Sequence, residues 1–288
     1  MMEKQGTIAR EITFSGVGVH TGKKTAVHLI PLREEKGIIF ERGDYGIEIK
    51  IDPRKAFANH ATVVVYNGTR ISTVEHLLAA LRFSGIDNCR VVIEGDEVPI
   101  LDGSAYSFVH GIKSVGIERL PWERKYLYLI KPFSIRDKDC FVEGYPYDGL
   151  KVHYEIEYNH PAIGFQSLSL EINLSIFEKE IAPARTFGFI SDLDYLRKNG
   201  IAMGASLSNT IALDKDGIVN GPLRFKDEFV RHKILDFLGD ISLLPLPVKG
   251  SFIVRKGGHS LHLRMLNYLL ENNLLSKTDD GLSYRIVI

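Results

Sequence analysis

The sequence predicts an α+β fold made of two duplicated sheet-plus-two-helix units. Two observations lead there. Short strand-like runs separated by glycine turns lead into helical stretches, and this order occurs once in each half of the chain. The two central helical stretches also read alike, as Val74-Glu75-His76-Leu77-Leu78 and Val230-Arg231-His232-Lys233-Ile234. Each is followed by a glycine, a strand and a glycine-containing turn. A pseudo-twofold pairing of such halves brings His76 and His232 to one seam.

The elements follow in order. Strand-like runs cover residues 12–14, 26–30, 37–40, 47–51 and 62–66, rich in Ile, Val, Phe and Thr. A helix is expected over about residues 72–84, stopped by Gly85. Its start, Ser72-Thr73-Val74-Glu75, fits a capping box in which Glu75 bonds back to the N-cap amide. A strand over 89–94 and a helix over about 105–115 follow. Residues 116–124, with Pro121, read as a linker, so the domains are drawn at 1–122 and 123–288. The second half offers strands near 125–130, 150–158 and 166–172, then a helix over 229–244. A strand over 250–255 and a helix over about 260–270 complete it. The interruption at about 181–222 is too long for a simple connection and reads as a small lobe of its own.

Composition excludes several classes. Lys plus Arg equals Asp plus Glu at 36 each, which argues against a nucleic-acid binder or a polybasic membrane anchor. Cys89 and Cys140 are too few for a disulfide framework or a thiolate metal site. The start, Met1-Met2-Glu3-Lys4-Gln5-Gly6, has no apolar signal core, and no run approaches the ~18 apolar residues of a membrane span. The expectation is a cytoplasmic protein without a membrane span or an obligate protein partner.

The helix over 229–244 carries the most chemistry. Counting about 100° per residue from His232, Asp236 lies at about 40°, Asp240 at about 80° and Lys233 at about 100°. Val230, Ile234, Phe237, Leu238 and Ile241 gather at about 180° and explain why the helix packs. The opposite stripe needs another reason. His232 and Asp236, one turn apart, can point two ligand atoms at one metal ion. With His76 they make two imidazoles and a carboxylate, the ligand count of a catalytic zinc site with one position open. Ferrous iron is the alternative metal for these donors.

Each residue also has a plainer reading. His76 alone reads as a satisfied, half-buried histidine, and Glu75 as the capping residue named above. Beside a metal-binding histidine, Glu75 becomes a general base instead. His259, in Lys256-Gly257-Gly258-His259-Ser260, is either a histidine near a helix start or a proton donor on a loop. There Gly258 lets substrate approach the backbone. Asp240 is either a surface carboxylate or the partner that keeps His259 cationic. His20 sits in the glycine-flanked turn 16–22, and a glycine loop alone says little about phosphate binding.

Six motifs in order then carry a resemblance. They are Ser72-Thr73-Val74-Glu75-His76, Ile100-Leu101-Asp102-Gly103-Ser104, Ala184-Arg185-Thr186-Phe187, Leu223-Arg224-Phe225, Phe229 to Asp236, and Gly257-Gly258-His259-Ser260. Together with the turn at His20, they make nearly the whole chain resemble the UDP-3-O-acyl-N-acetylglucosamine deacetylases of lipid A biosynthesis. The resemblance implies that the two domains pack as a β-α-α-β sandwich with a small insert in each. It implies zinc on His76, His232 and Asp236, with Glu75 as base and His259 as acid, oriented by Asp240. It implies Thr186 at the oxyanion, Lys233 toward the nucleotide of an acylated UDP-sugar, and the 181–222 insert as an acyl passage. Phe187 and the Gly204-Ala205-Ser206-Leu207 turn would line that passage. Three departures stand out: the first insert, sought around residues 41–49, looks short, Pro245 stands where glycine is expected, and Asn220-Gly221-Pro222-Leu223 is locally compressed. The rival readings are another metal-dependent amidohydrolase on this scaffold and a noncatalytic α+β binding module.

Overall fold

The computed structural model describes residues 3–43 and 47–277. The first half runs β1 (Lys4–Ile8), β2 (Ile12–Val17), β3 (Lys24–Pro31), β4 (Ile38–Arg42), β5 (Ile47–Lys50), β6 (Ala56–Ala58), β7 (Thr62–Tyr66) and β8 (Thr69–Ser72). It continues with α1 (Glu75–Phe83), β9 (Cys89–Glu94), α2 (Tyr106–Val115) and β10 (Ile117–Glu123). The second half runs β11 (Leu127–Leu129), β12 (Phe133–Asp137), β13 (Cys140–Tyr145), β14 (Leu150–Tyr158), β15 (Gly164–Glu171) and a short turn α3 (Leu174–Ile176). Then come β16 (Phe187–Phe189), α4 (Ile190–Lys198), β17 (Ile211–Leu213), α5 (Glu228–Ile241), β18 (Val248–Arg255), α6 (His259–Glu271) and β19 (Leu275–Lys277). Among the described residues no helix is long and apolar enough to cross a membrane.

The α+β class is what the fold shows, and the duplication appears strand by strand. The first sheet has the order β2-β3-β9-β4-β5, antiparallel throughout except for the parallel pair β4/β9. The second sheet has seven strands. It contains the run β12-β13-β18-β14-β15, antiparallel except for the parallel pair β14/β18, and is extended by β11, which pairs parallel with the start of β18, and by β19 beside β11. Order and sense of these five strands match the first sheet position for position. In each unit one helix precedes the central strand and another follows it: α1 and α2 around β9, α5 and α6 around β18. Alternation along β18, buried at every second residue, marks a sheet with one face on the core. Helix α1 packs on α5, while α2 meets β2 and α5 meets β14 and β15, so the helices lie between the two sheets.

Three expectations need correction. Residues 116–124 are no linker: β10 pairs antiparallel with β1. The register shifts between Lys4 and Gly6, opposite Pro121, whose ring nitrogen has no proton to pair. The helix expected from residue 72 starts at Glu75, because residues 69–72 pair with β7 and Thr73 turns the chain at a φ of 59°. Glu75 is thus the first helical residue, and no side-chain capping bond forms. Finally, residues 41–49 are not an insert. They belong to the β4/β5 hairpin of the main sheet, with 44–46 outside the described residues. The slot between β5 and α1 holds the small sheet β6-β7-β8, and the matching slot between β15 and α5 holds α4 and the parallel pair β16/β17.

Candidate active site

The polar stripe of α5 does not face water. Asp236 is 3% exposed and Asp240 fully buried, both against α1 and its neighbours. The crossing of α1 and α5 sets the His76 and His232 rings 5.1 Å apart and nearly perpendicular. Their Nε2 atoms stand 3.5 and 3.3 Å from Oδ1 of Asp236. Nδ1 of His232 donates to the Ala184 carbonyl at 3.2 Å, which leaves its Nε2 lone pair free on the Asp236 side. Burial lowers His232 to about 4, so the ring is neutral at pH 7 even beside Asp236. Burial works against the charge of Asp236, but His232 and Lys233 hold its carboxyl well below the usual range. Two imidazoles, that of His232 neutral, and an ionised carboxylate, with ligand atoms all within 4.8 Å of one another, fit a divalent first-row metal.

Around this set lies a chain of hydrogen bonds that joins the two halves. Oε2 of Glu75 accepts from the Thr62 amide at 3.1 Å, while Oε1 lies 3.8 Å from Nε2 of His259. Nδ1 of His259 donates to Oδ2 of Asp240 at 2.8 Å, and the Thr62 hydroxyl donates to Oδ1 of the same carboxylate. Burial opposes a charge on His259, but the Asp240 carboxylate prevails and raises it to about 10. Burial likewise opposes the Asp240 charge, yet the two adjacent histidines, His259 foremost, hold it at about 2. Glu75 moves the other way: burial raises it, against the pull of His259 and His76. A carboxyl with raised proton affinity and a histidinium within 4 Å of each other make an acid–base pair.

Glu75, His76, His232, Lys233 and Asp236 form one wall of a cavity of about 550 Å³. Thr186, Phe187, His20 and Ser206 also line it, and the 181–222 insert supplies Ile190, Leu193, Leu196, Ile201 and Leu207. The wall is therefore ionic at the helix crossing and mostly apolar along the insert. Phe187 packs edge-on to His232 and Phe229. Lys233, expected to face a nucleotide, donates to Oδ2 of Asp236 at 2.9 Å. Gly204 and Gly258 are not among the lining residues. Gly204 anchors the insert by donating to the Val19 carbonyl, and Gly258 is the extended residue before α6. His259 stands just behind the lining, with Nε2 3.8 Å from Oε1 of Glu75.

Four residues escaped the sequence reading. Thr62 binds both Glu75 and Asp240, and His60 lines the cavity from a left-handed backbone. Buried Glu97 accepts from the His20 and Thr21 amides and the Thr73 hydroxyl, which fixes the turn carrying His20. His262 donates to Asp240 from the end of the first turn of α6. Only His262 left a signal, its spacing of three from His259 on one helical face.

Comparison with known proteins identifies relatives along nearly the whole chain. The model of the UDP-3-O-acyl N-acetylglycosamine deacetylase family matches residues 5–271. A protein of Thermodesulfovibrio yellowstonii named UDP-3-O-acyl-N-acetylglucosamine deacetylase is 46% identical over 94% of this chain and 93% of its own length. Proteins of the same name from Oleidesulfovibrio alaskensis and Nautilia profundicola are 44% and 42% identical, covering 94% and 95% of the chain and 90% and 92% of their own lengths.

Proposed function

The chain belongs to the UDP-3-O-acyl N-acetylglycosamine deacetylase family, and from that premise we propose that the seam between α1 and α5 is its active site and that zinc is its metal. The reaction is hydrolysis of the acetamide of UDP-3-O-acyl-N-acetylglucosamine, giving acetate and the free-amine sugar nucleotide, in lipid A biosynthesis. We also read the chain as two domains, 1–122 and 123–288, with the site between them.

His76, His232 and Asp236 would hold the ion. Bound there, zinc would supply Lewis acidity at the amide carbonyl and acidify water toward a pKa of about 7. Glu75 takes the proton from the attacking water through Oε1, because Oε2 is tied to the Thr62 amide. An amine leaves poorly unless it is protonated, and His259 supplies that proton from Nε2 while Asp240 holds Nδ1. Thr186, on the cavity wall, is assigned to the developing oxyanion. Lys233 neutralises the carboxylate of Asp236 and keeps a cation on the wall for the diphosphate. The apolar lining from Ile190 to Leu207 takes the acyl chain.

The observation that carries this reading is the junction itself, where a metal-ligand set, a buried carboxylate and a histidinium from two halves of the chain meet beside one cavity. Metal analysis of the purified protein, with deacetylation of the acylated UDP-sugar measured before and after chelation, tests it. Activity that survives complete metal removal overturns it. Equal turnover of substrates with and without the acyl chain favours a different amidohydrolase.

A further inference from the structure

We infer that His262, backed by Tyr154, is a positioning residue that fixes the Asp240 carboxylate beneath His259. The inference rests on the deacetylase reading, because it assigns a purpose to the Asp240–His259 pair.

The geometry is a buried line of four groups. Tyr154 and His262 are both fully buried, and the Tyr154 hydroxyl lies 3.1 Å from Nε2 of His262. Nδ1 of His262 lies 2.7 Å from Oδ2 of Asp240, the oxygen that also receives Nδ1 of His259 at 2.8 Å. An ionised carboxylate can only accept, so both histidines carry a proton on Nδ1. The Nε2 of His262 is then an acceptor, and the tyrosine hydroxyl is its donor. Every proton in the line points toward Asp240, with Thr62 donating to the remaining oxygen. Burial lowers His262, which agrees with a neutral ring there.

A carboxylate held by one histidine alone can rotate about its own axis and present either oxygen. Donors from His262, His259 and Thr62 leave it one orientation. His259 is thereby confined to one orientation, with Nδ1–H on Asp240 and Nε2–H toward Glu75. The neighbourhood is built around this line. A β-carbon on Gly257 would stand 2.6 Å from the Tyr154 hydroxyl and 2.9 Å from Nε2 of His262, so the chain passes the bond with no side chain at all.

The test uses the full-length zinc enzyme and compares His262→Leu, His262→Asn and Tyr154→Phe. Leucine fills the volume without a donor, whereas the asparagine amide nitrogen takes the place of Nδ1. The Leu variant should lose kcat on the order of 10-fold while KM and zinc content hold within about twofold, and the Asn variant should recover most of it. A Leu variant with unchanged kcat, or an Asn variant no better than Leu, overturns the inference, as does a loss confined to KM or to zinc. If the Leu variant fails to fold, Tyr154→Phe decides: kcat should fall at constant KM, and unchanged kcat overturns the inference. Ring nitrogen NMR of the full-length protein gives a readout independent of turnover. At neutral pH both ring nitrogens of His259 carry protons. The Nδ1 proton held by Asp240 should give a slowly exchanging signal in the wild type and broaden or shift in the Leu variant, and identical spectra overturn the proposal. A wild-type protein with no deacetylase activity would defeat the functional reading instead, and the spectra would still decide the place of His262.

Discussion

The Glu75 carbonyl lies so close to Gly239 that a β-carbon at 239 would stand 2.3 Å from its oxygen. That contact is where α1 and α5 cross, and it sets how near the groups of one half come to those of the other. Gly239→Ala should therefore push the helices apart. The expected cost is about 1–3 kcal/mol in denaturant unfolding, with a fall in kcat/KM because Glu75 and His76 retreat from His259 and Asp236. An alanine variant as stable and active as the wild type would show that the crossing has slack.

Asp240→Asn should change the pH profile. Raised to about 10 by Asp240, His259 stays protonated through neutral pH. Its contribution to folding stability is full below its unfolded value of about 6.5. That contribution fades as pH rises through about 10. The depressed Asp240 contributes above its ordinary range and loses that contribution as pH falls through about 2. Without the carboxylate, the alkaline limb of kcat/KM should move to lower pH, which a steady-state pH series reads directly.

Glu75→Gln should separate chemistry from metal binding. The amide keeps an acceptor for the Thr62 N–H but cannot take a proton. A drop in kcat of about 10²–10⁴ is expected, with zinc content unchanged by elemental analysis. Loss of zinc in this variant would move Glu75 into the ligand set.

Asp236→Ala should do the reverse. It removes one of three ligand groups and leaves the ammonium of Lys233 without its partner at 2.9 Å. Zinc stoichiometry should fall, and so should stability, since an unpaired cation remains in a buried wall. Dialysis against a chelator followed by zinc titration of wild type and variant measures both effects.

Leu193→Glu should report on the apolar wall. The side chain lines the cavity from α4, and a carboxylate there opposes a hydrocarbon ligand. KM should rise for long-chain substrates and change little for a short-chain analogue. Equal changes for both would place the chain elsewhere.

Much of this was legible in the sequence, for reasons that differ by element. The helices α5 and α6 carry period-3.6 apolar stripes, and His232 and Asp236 announce a shared direction by spacing alone. The duplication was legible from two similar pentapeptides, although the matching sheets behind them were only partly visible. Strand β10 was hidden because Pro121 and Gly116 read as a break, and its partner β1 lies over a hundred residues earlier in the chain. Ser72 and Glu75 satisfy a capping-box spacing, but residues 69–72 gain more by pairing with β7, and local propensity yields to that pairing. Thr62 carries no sequence signal. Its role exists only because β7 runs under both Glu75 and Asp240.

The matching slots before α1 and α5 have a consequence of their own. One repeated unit, used twice, faces itself across the helix seam, so the same position in the chain supplies lining to a single cavity from both halves. In the first copy that position grew the strand bearing Thr62, which ties Glu75 to Asp240. In the second it grew a sleeve of aliphatic side chains. Neither copy holds a whole site, and a lone ancestral half with this geometry would have had to meet its twin before it could do any chemistry.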